Sequence, residues 1–300
     1  MSKAMNVAVF GLGSMGYGIA QSILRAGHNT YGFDVVPEQE KRFQAEGGSA
    51  GQLNDIAESL DAVIVVVLNA AQTESVLFGD NGIAPKLKKG AIAMACATVP
   101  PDFARQMASQ CEQLGLHYLD APISGGSVKA AAGQLSIMAS GTEDAFSAAQ
   151  LVLDATAETV FKLGNEAGAG SAMKAVNQLL AGVHIATMAE ALTFGLTQGI
   201  SAEKFLEVIP QCAGTSWMLE NRAPHIVAGD YTPHSSVDIW PKDLGIVLDI
   251  AKKSGFTAPI ATAALDQFVA ASSAGYGKED DAAVAKIYTQ NSDIKLPGES

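Results

Sequence analysis

Gly11-Leu12-Gly13-Ser14-Met15-Gly16 is a G-x-G-x-x-G hexapeptide, and its setting decides the fold. The apolar run 6–10 precedes it and reads as a strand. A helical pattern over 14–26 opens on it and closes near Gly27. Each glycine has a physical task. Gly11 allows a tight turn, Gly13 lets a pyrophosphate approach the backbone, and Gly16 permits close packing of helix on strand. The helix then aims free N–H groups and the positive end of its dipole at the phosphates. Leu12, Ser14 and Met15 complete the turn and join the cofactor-binding candidates. Asp34 ends a second strand over 31–34. A carboxylate there accepts hydrogen bonds from the adenosine ribose hydroxyls and repels a 2′-phosphate, so NAD is expected rather than NADP.

Outward from this unit, the runs 62–68 and 91–97 are fully apolar. Central parallel strands covered on both faces read this way. Strands over 117–123 and 135–139 follow, then a helix over 143–155 and a last strand over 159–162. Alternation of this kind predicts an α/β fold with an N-terminal Rossmann doubly wound parallel sheet. From Gly168 onward helical periodicity takes over. Residues 171–198 read as one long helix crossing between domains and stopped by Gly199, with shorter helices at 202–209, 243–254, 258–272 and 280–290. The expected organisation is an NAD-binding domain over 1–165 and an all-α C-terminal domain over 166–300. The join is the Gly-rich stretch 164–170.

Composition narrows the function. Of 300 residues, 48% are hydrophobic and 17% charged, enough for buried cores and too little charge for disorder. Acidic side chains outnumber basic ones 31 to 19, a net charge of −12 that argues against nucleic acid or an anionic membrane as partner. Cys96, Cys111 and Cys212 are too few and too scattered for a disulfide framework or a zinc site, so no metal is expected. The longest clean apolar run, 62–68, falls far short of the ~18 residues that span a bilayer. Met1-Ser2-Lys3 leads into the first strand without a cleavage-type site, and a cytoplasmic protein is expected. The apolar, helix-rich second half predicts buried subunit contacts, and so a homodimer or homotetramer. Rival nucleotide motifs fail: Gly277-Lys278 is followed by Glu279 and has no P-loop frame, and no Tyr-x-x-x-Lys pair occurs.

Four ordered blocks carry a resemblance over nearly the whole chain. They are the hexapeptide above; Asp120-Ala121-Pro122-Ile123-Ser124-Gly125-Gly126, continuing to Met138-Ala139-Ser140-Gly141; Gly168-Ala169-Gly170 with Lys174 and Asn177-Gln178; and Lys242-Asp243-Leu244. In these the sequence resembles the β-hydroxyacid dehydrogenase family, also called the 3-hydroxyisobutyrate dehydrogenase family. The resemblance implies NAD-dependent oxidation of a small hydroxy acid. Related reactions such as tartronate semialdehyde reduction use the same machinery. A chain that binds NAD without turnover is the reading of a different class.

The resemblance also implies roles. Lys174 is the catalytic acid/base, one turn into the long helix. Desolvation in a low-dielectric cleft would bring its pKa toward a useful range. Gln178, at i+4, shares its helix face and is a substrate-binding candidate. The family usually has Asn there, so Gln reshapes the pocket and suits a more polyhydroxylated acid. Asn177 points about 100° away on the helix and is either structural or functional. Ser124, Gly125 and Gly126 are expected to hold the substrate carboxylate on backbone N–H groups and a hydroxyl. Lys242 is placed beside the nicotinamide ribose and Asp243 at the substrate edge, a surface ion pair being the alternative. Leu68, Asn69 and Thr98 lie past the carboxyl ends of strands, where ligands bind open α/β sheets. Trp217, Met218 and Phe205 read as helix packing. Tyr231 and His234 are left open. Asp280 is followed by Ala282 where the family often has Ser, so that serine's role is absent.

Overall fold

The structure, a computed structural model, describes residues 4–290 and 294–298. Met1-Ser2-Lys3, read above as leading into the first strand, lie outside the described residues. The chain divides into two compact units, Met1–Lys174 and Ala175–Ser300. The division falls inside a helix, nine residues beyond the 165/166 boundary read from the sequence.

In the first unit, β1 (Asn6–Phe10), β2 (Asn29–Phe33), β3 (Ala62–Val65), β4 (Ile92–Ala95) and β5 (His117–Asp120) form one parallel sheet in the order β2-β1-β3-β4-β5. This is the expected doubly wound sheet. Helices α1 (Gly16–Arg25), α2 (Pro37–Ala45), α3 (Leu53–Ile56), α4 (Ala70–Phe78) and α5 (Pro101–Gln113) connect these strands. Every residue of β3 and β4 is buried, which accounts for their unbroken apolar runs.

The 117–123 run does not form one strand. It breaks after Asp120, and β6 (Ile123–Ser124) pairs antiparallel with β7 (Leu135–Ala139) in a second, three-stranded sheet. Pro122 has no N–H to donate and marks the break. Helix α6 (Gly126–Ala132) fills the hairpin. Helix α7 (Glu143–Thr156) then leads to β8 (Ala157–Lys162), which runs parallel to β7.

Helix α8 (Ala169–Thr197) is the long helix expected, at 29 residues. Its most apolar 18-residue window has a mean hydropathy of 1.5, so by length and composition it could cross a membrane, contrary to the reading from uninterrupted runs alone. Scattered polar residues hid this. Its Ile185, Met188, Ala189 and Leu192 are buried in the core of the second unit, as a core helix requires.

That unit continues with α9 (Ala202–Val208), α10 (Trp217–Ala228), α11 (Ile239–Lys253), α12 (Pro259–Ala271) and α13 (Ala285–Thr289). Leu192, Phe205, Ile226, Trp240, Leu244 and Phe268 build its core, with Trp240 and Phe268 stacked 5.5 Å apart. The sequence reading assigns no helix to 217–228, and the helix found there carries Pro224 in its interior. The Ser216 hydroxyl, accepting from Leu219 N, and left-handed Gly229 nevertheless define both its ends. Phe205 packs as expected. Trp217 does not: at the first turn of α10 it is 62% exposed.

Candidate functional site

The glycine turn has the space that its sequence implies. A Cβ on Gly11 would lie 2.2 Å from Val66 O, and one on Gly16 would lie 1.8 Å from Gly11 O. No other residue fits either position. A Cβ on Gly13 would meet nothing within 4 Å, so this is where the backbone faces open space. The turn therefore fits a pyrophosphate laid against Gly13 at the start of the ten-residue α1. Leu12 is buried, Ser14 is exposed, and Met15 is partly buried against the core of the first unit.

Asp34 sits just past β2, next to this turn. Its carboxylate accepts from Leu12 N at 2.6 Å and from Val36 N at 2.9 Å. The acid thus ties the glycine turn to the end of β2. A carboxylate has about four acceptor sites, so capacity remains for a ribose diol. Asn69 is the N-cap of α4, its Oδ1 accepting from Gln72 N at 2.9 Å. Leu68 is 61% exposed beside it, and Thr98 lies half-buried past β4. These residues share the carboxyl edge of the parallel sheet with the glycine turn.

The second cluster of the first unit joins β5, β6 and the start of α8. Gly125 and Gly126 have φ of +139° and +79°, which side-chain-bearing residues rarely adopt. Lys174 is 8% exposed, and its Nζ donates to Ile123 O at 2.9 Å. Ile123 immediately precedes Ser124-Gly125-Gly126. The amine expected to act on the alcohol is therefore anchored at the root of the loop expected to hold the acid.

Asp120 is the residue that sequence reasoning quoted without assigning a task. It is 1% exposed and accepts four hydrogen bonds: from Gly168 N, Ser171 N, Ser171 Oγ and Ser140 Oγ, at 2.6 to 3.2 Å. Gly170 N donates to Ser140 Oγ. Helix α8 starts on Gly168-Ala169-Gly170, with no capping side chain of its own at that point. Its first N–H groups need an acceptor from elsewhere, and Asp120 supplies it. That missing cap was the signal available in the sequence. Burial holds the Asp120 carboxyl above the ordinary carboxylate range, although its donors pull it down.

In the second unit, Gln178 Nε2 donates to Asp243 Oδ2 at 2.5 Å, and Asn177 Nδ2 donates to Gln178 Oε1 at 3.0 Å. Lys242 Nζ is 2.8 Å from Asp243 Oδ1, at ion-pair distance. Gln178 and Asp243 are buried. Residues 65 positions apart are thus brought into one polar chain, Asn177–Gln178–Asp243–Lys242.

Asp280 and Asp281 belong to a different cluster. Asp281 pairs with Arg222 Nε at 2.5 Å and accepts from Trp240 Nε1 at 2.9 Å. Asp280 contacts His225 Nδ1 at 2.8 Å and accepts from His234 N at 2.9 Å. Burial opposes the charge on Asp280, but these donors outweigh it and hold its carboxyl below the usual range. Burial dominates for Asp281 and pushes its carboxyl up. The His234 ring packs edge-on against His225, 4.8 Å between centroids. These ties hold the α10 and 280–284 segments together within the core. Among the described residues no cluster of His, Cys, Asp and Glu is suited to a metal ion.

Comparison with known proteins agrees with this layout. Residues 6–164 match the NAD-binding domain of 6-phosphogluconate dehydrogenase, and residues 168–288 match the NAD-binding domain of NADP-dependent 3-hydroxyisobutyrate dehydrogenase. The L-threonate dehydrogenase of Cupriavidus necator is 49% identical over 98% of this chain and 99% of its own. That of Escherichia coli is 48% identical over 98% and 97%. A crystal structure of 3-hydroxyisobutyrate dehydrogenase from Salmonella typhimurium has a TM-score of 0.88 and 48% identity, covering 94% of this chain and 99% of that one.

Proposed function

The chain belongs to the 3-hydroxyisobutyrate dehydrogenase family of NAD-dependent hydroxyacid dehydrogenases, and from that premise we propose that it oxidises L-threonate at C2 to the 2-oxo acid, 2-dehydro-L-erythronate. Relatives of that activity, aligned almost end to end at 46–49% identity, carry the choice of substrate. The buried Lys174, anchored at the root of the Ser124 loop, carries the choice of acid/base.

NAD, when bound, supplies the hydride acceptor. The backbone at Gly13 and the N-terminus of α1 bind its pyrophosphate, and Asp34 its adenosine ribose. The negative charge of Asp34 disfavours NADP. Leu12, Ser14, Met15, Gly11, Gly16, Leu68, Asn69 and Thr98 line the cofactor side, and Lys242 adds a cation there. Ser124 with the N–H groups of Gly125 and Gly126 holds the substrate carboxylate. Lys174 Nζ takes the proton of the alcohol oxygen as the C–H bond breaks. Gln178, backed by Asp243, orients the rest of the acid. Local donors thus hold two anions on a chain of net charge −12.

A second reading has one specific support. The Salmonella protein, at 48% identity, bears the name of a 3-hydroxyisobutyrate dehydrogenase. Steady-state oxidation of L-threonate and of 3-hydroxyisobutyrate with NAD and NADP decides between them. Turnover of L-threonate with NAD, lowered at least about 10²-fold in Lys174→Ala with NAD binding retained, supports the proposal. Turnover of 3-hydroxyisobutyrate alone overturns it. We also propose a cytoplasmic homodimer or homotetramer. Val176, Leu180, Phe194 and Ile260, apolar and exposed in the second unit, support subunit contacts.

A further inference from the structure

Helix α2 starts two residues beyond Asp34. Val35 and Val36 intervene, both exposed and neither carrying a side-chain donor or a cation, and Pro37 opens the helix. The N-cap residue Val36 donates its N–H to Asp34 Oδ1 at 2.9 Å, so the Asp34 carboxylate adjoins the helix start. A helix start suits an anion, because its first N–H groups are unpaired and its dipole is positive there. Next to an acid that binds the adenosine ribose, it would favour a 2′-phosphate unless something opposes it.

The chain supplies its own negative charge at that point. Glu38 and Glu40 stand in the first turn of α2. Glu40 also reaches back, its Oε1 accepting from Asp34 N at 2.9 Å. Only the backbone and side chain of Asp34 separate the two carboxylates. They therefore lie within about one Debye length, ~8 Å at physiological ionic strength. A charge at that range acts on its surroundings whichever way the group points. Of the two cations that follow in α2, Arg42 is 3.2 Å from Glu46 and lies over the Tyr17 ring, and Lys41 is exposed to solvent.

We propose that Glu40 is a second determinant of cofactor choice. Its charge adds to that of Asp34 against a 2′-phosphate and offsets the attraction of the helix start. Its oxygen, bonded to Asp34 N, makes it a positioning residue for the acid that meets the ribose. The inference rests on the assignment of Asp34 to the adenosine ribose and adds a residue outside the glycine motif. A glutamate in a first turn is otherwise read as a favourable partner of the helix dipole alone.

The test is fluorescence titration of the full chain with NADH and with NADPH, which needs no hydroxy acid. The quantity read is the ratio of the two Kd values. Glu40→Gln keeps an acceptor oxygen for Asp34 N and removes the charge. It is expected to lower the preference for NADH about fivefold, through tighter NADPH binding with little change for NADH. The shift shrinks in high salt, as a charge effect must. Glu40→Leu removes the acceptor as well, and is expected to lose affinity for NADH that Glu40→Gln retains. Equal weakening of both cofactors in Glu40→Gln overturns the inference, since a merely structural role predicts it. A ratio unchanged in Glu40→Gln but lowered in Asp34→Asn overturns the inference alone. A ratio unchanged in both variants overturns the ribose assignment of Asp34 together with it.

Discussion

Lys174 Nζ donates a 2.9 Å hydrogen bond to the backbone carbonyl of Ile123, the residue before Ser124-Gly125-Gly126. Two elements 51 positions apart, the start of α8 and the first residue of β6, are thereby fastened together. A main-chain acceptor fixes where the amine sits without itself changing charge.

Replacement of Lys174 by Arg separates position from chemistry. Arg keeps donors for the Ile123 carbonyl but does not release a proton in a protein. Turnover of Lys174→Arg is expected to fall at least about 10²-fold. Its affinity for NADH, measured by fluorescence titration, is expected to remain. Turnover near the wild-type rate would remove Lys174 from the acid/base role.

Asp34 ties the glycine turn to the end of β2 and, in the proposed function, binds the adenosine ribose. Asp34→Asn removes the charge and one of two backbone acceptors, since an amide cannot accept at both ends. The preference for NAD over NADP, as a ratio of kcat/KM values, is expected to drop about tenfold or more. Urea unfolding should show a stability loss of about 1–2 kcal/mol from the orphaned N–H of Leu12 or Val36. A variant with unaltered cofactor preference would mean that Asp34 serves the fold alone.

Asp120 caps α8 from β5. Asp120→Asn turns an amine toward groups that all donate, and is expected to cost about 2–3 kcal/mol near neutral pH. Burial raises the folded-state pKa of Asp120, so the native state holds this proton more tightly than the unfolded chain does. The contribution is complete below the unfolded carboxylate value, about 3.9, and is lost as pH rises through the raised value. The stability gap between wild type and Asp120→Asn should therefore narrow with increasing pH across that window. Denaturation midpoints at stepped pH follow it, and a gap that widens instead would contradict the assigned direction.

Arg222 is the buried cation beside Asp281, with Asp280 next to it. Arg222→Met leaves Asp281 without its ion pair inside the core. The expected cost is about 3–5 kcal/mol at neutral pH, because the remaining charge is uncompensated. Thermal unfolding reads this as a large drop in Tm. An unchanged Tm would show that Trp240 and the other neighbours suffice to hold Asp281.

Much of the fold was legible in the residues themselves. The parallel sheet could be read because β3 and β4 are buried on both faces and are therefore apolar throughout. The glycine turn could be read because its three glycines fall at a fixed spacing over six consecutive positions, directly after an apolar strand and at the start of a helix. Lys174 was legible only through family likeness, since a lone lysine on a helix has no local signature.

Local sequence determined the strands, the long helix, the glycine turn and the acid at the end of β2. Each depends on neighbours a few residues away and leaves a periodic or spaced trace. Tertiary structure alone decided three further things. It split 117–123 between two sheets at Pro122, gave α8 its cap from Asp120, and joined Asn177, Gln178 and Asp243 into one chain. Buried polar groups must find partners, but hydrogen bonding does not specify how far along the chain a partner lies. That distance is set by packing, so the sequence named the groups and only the fold matched them.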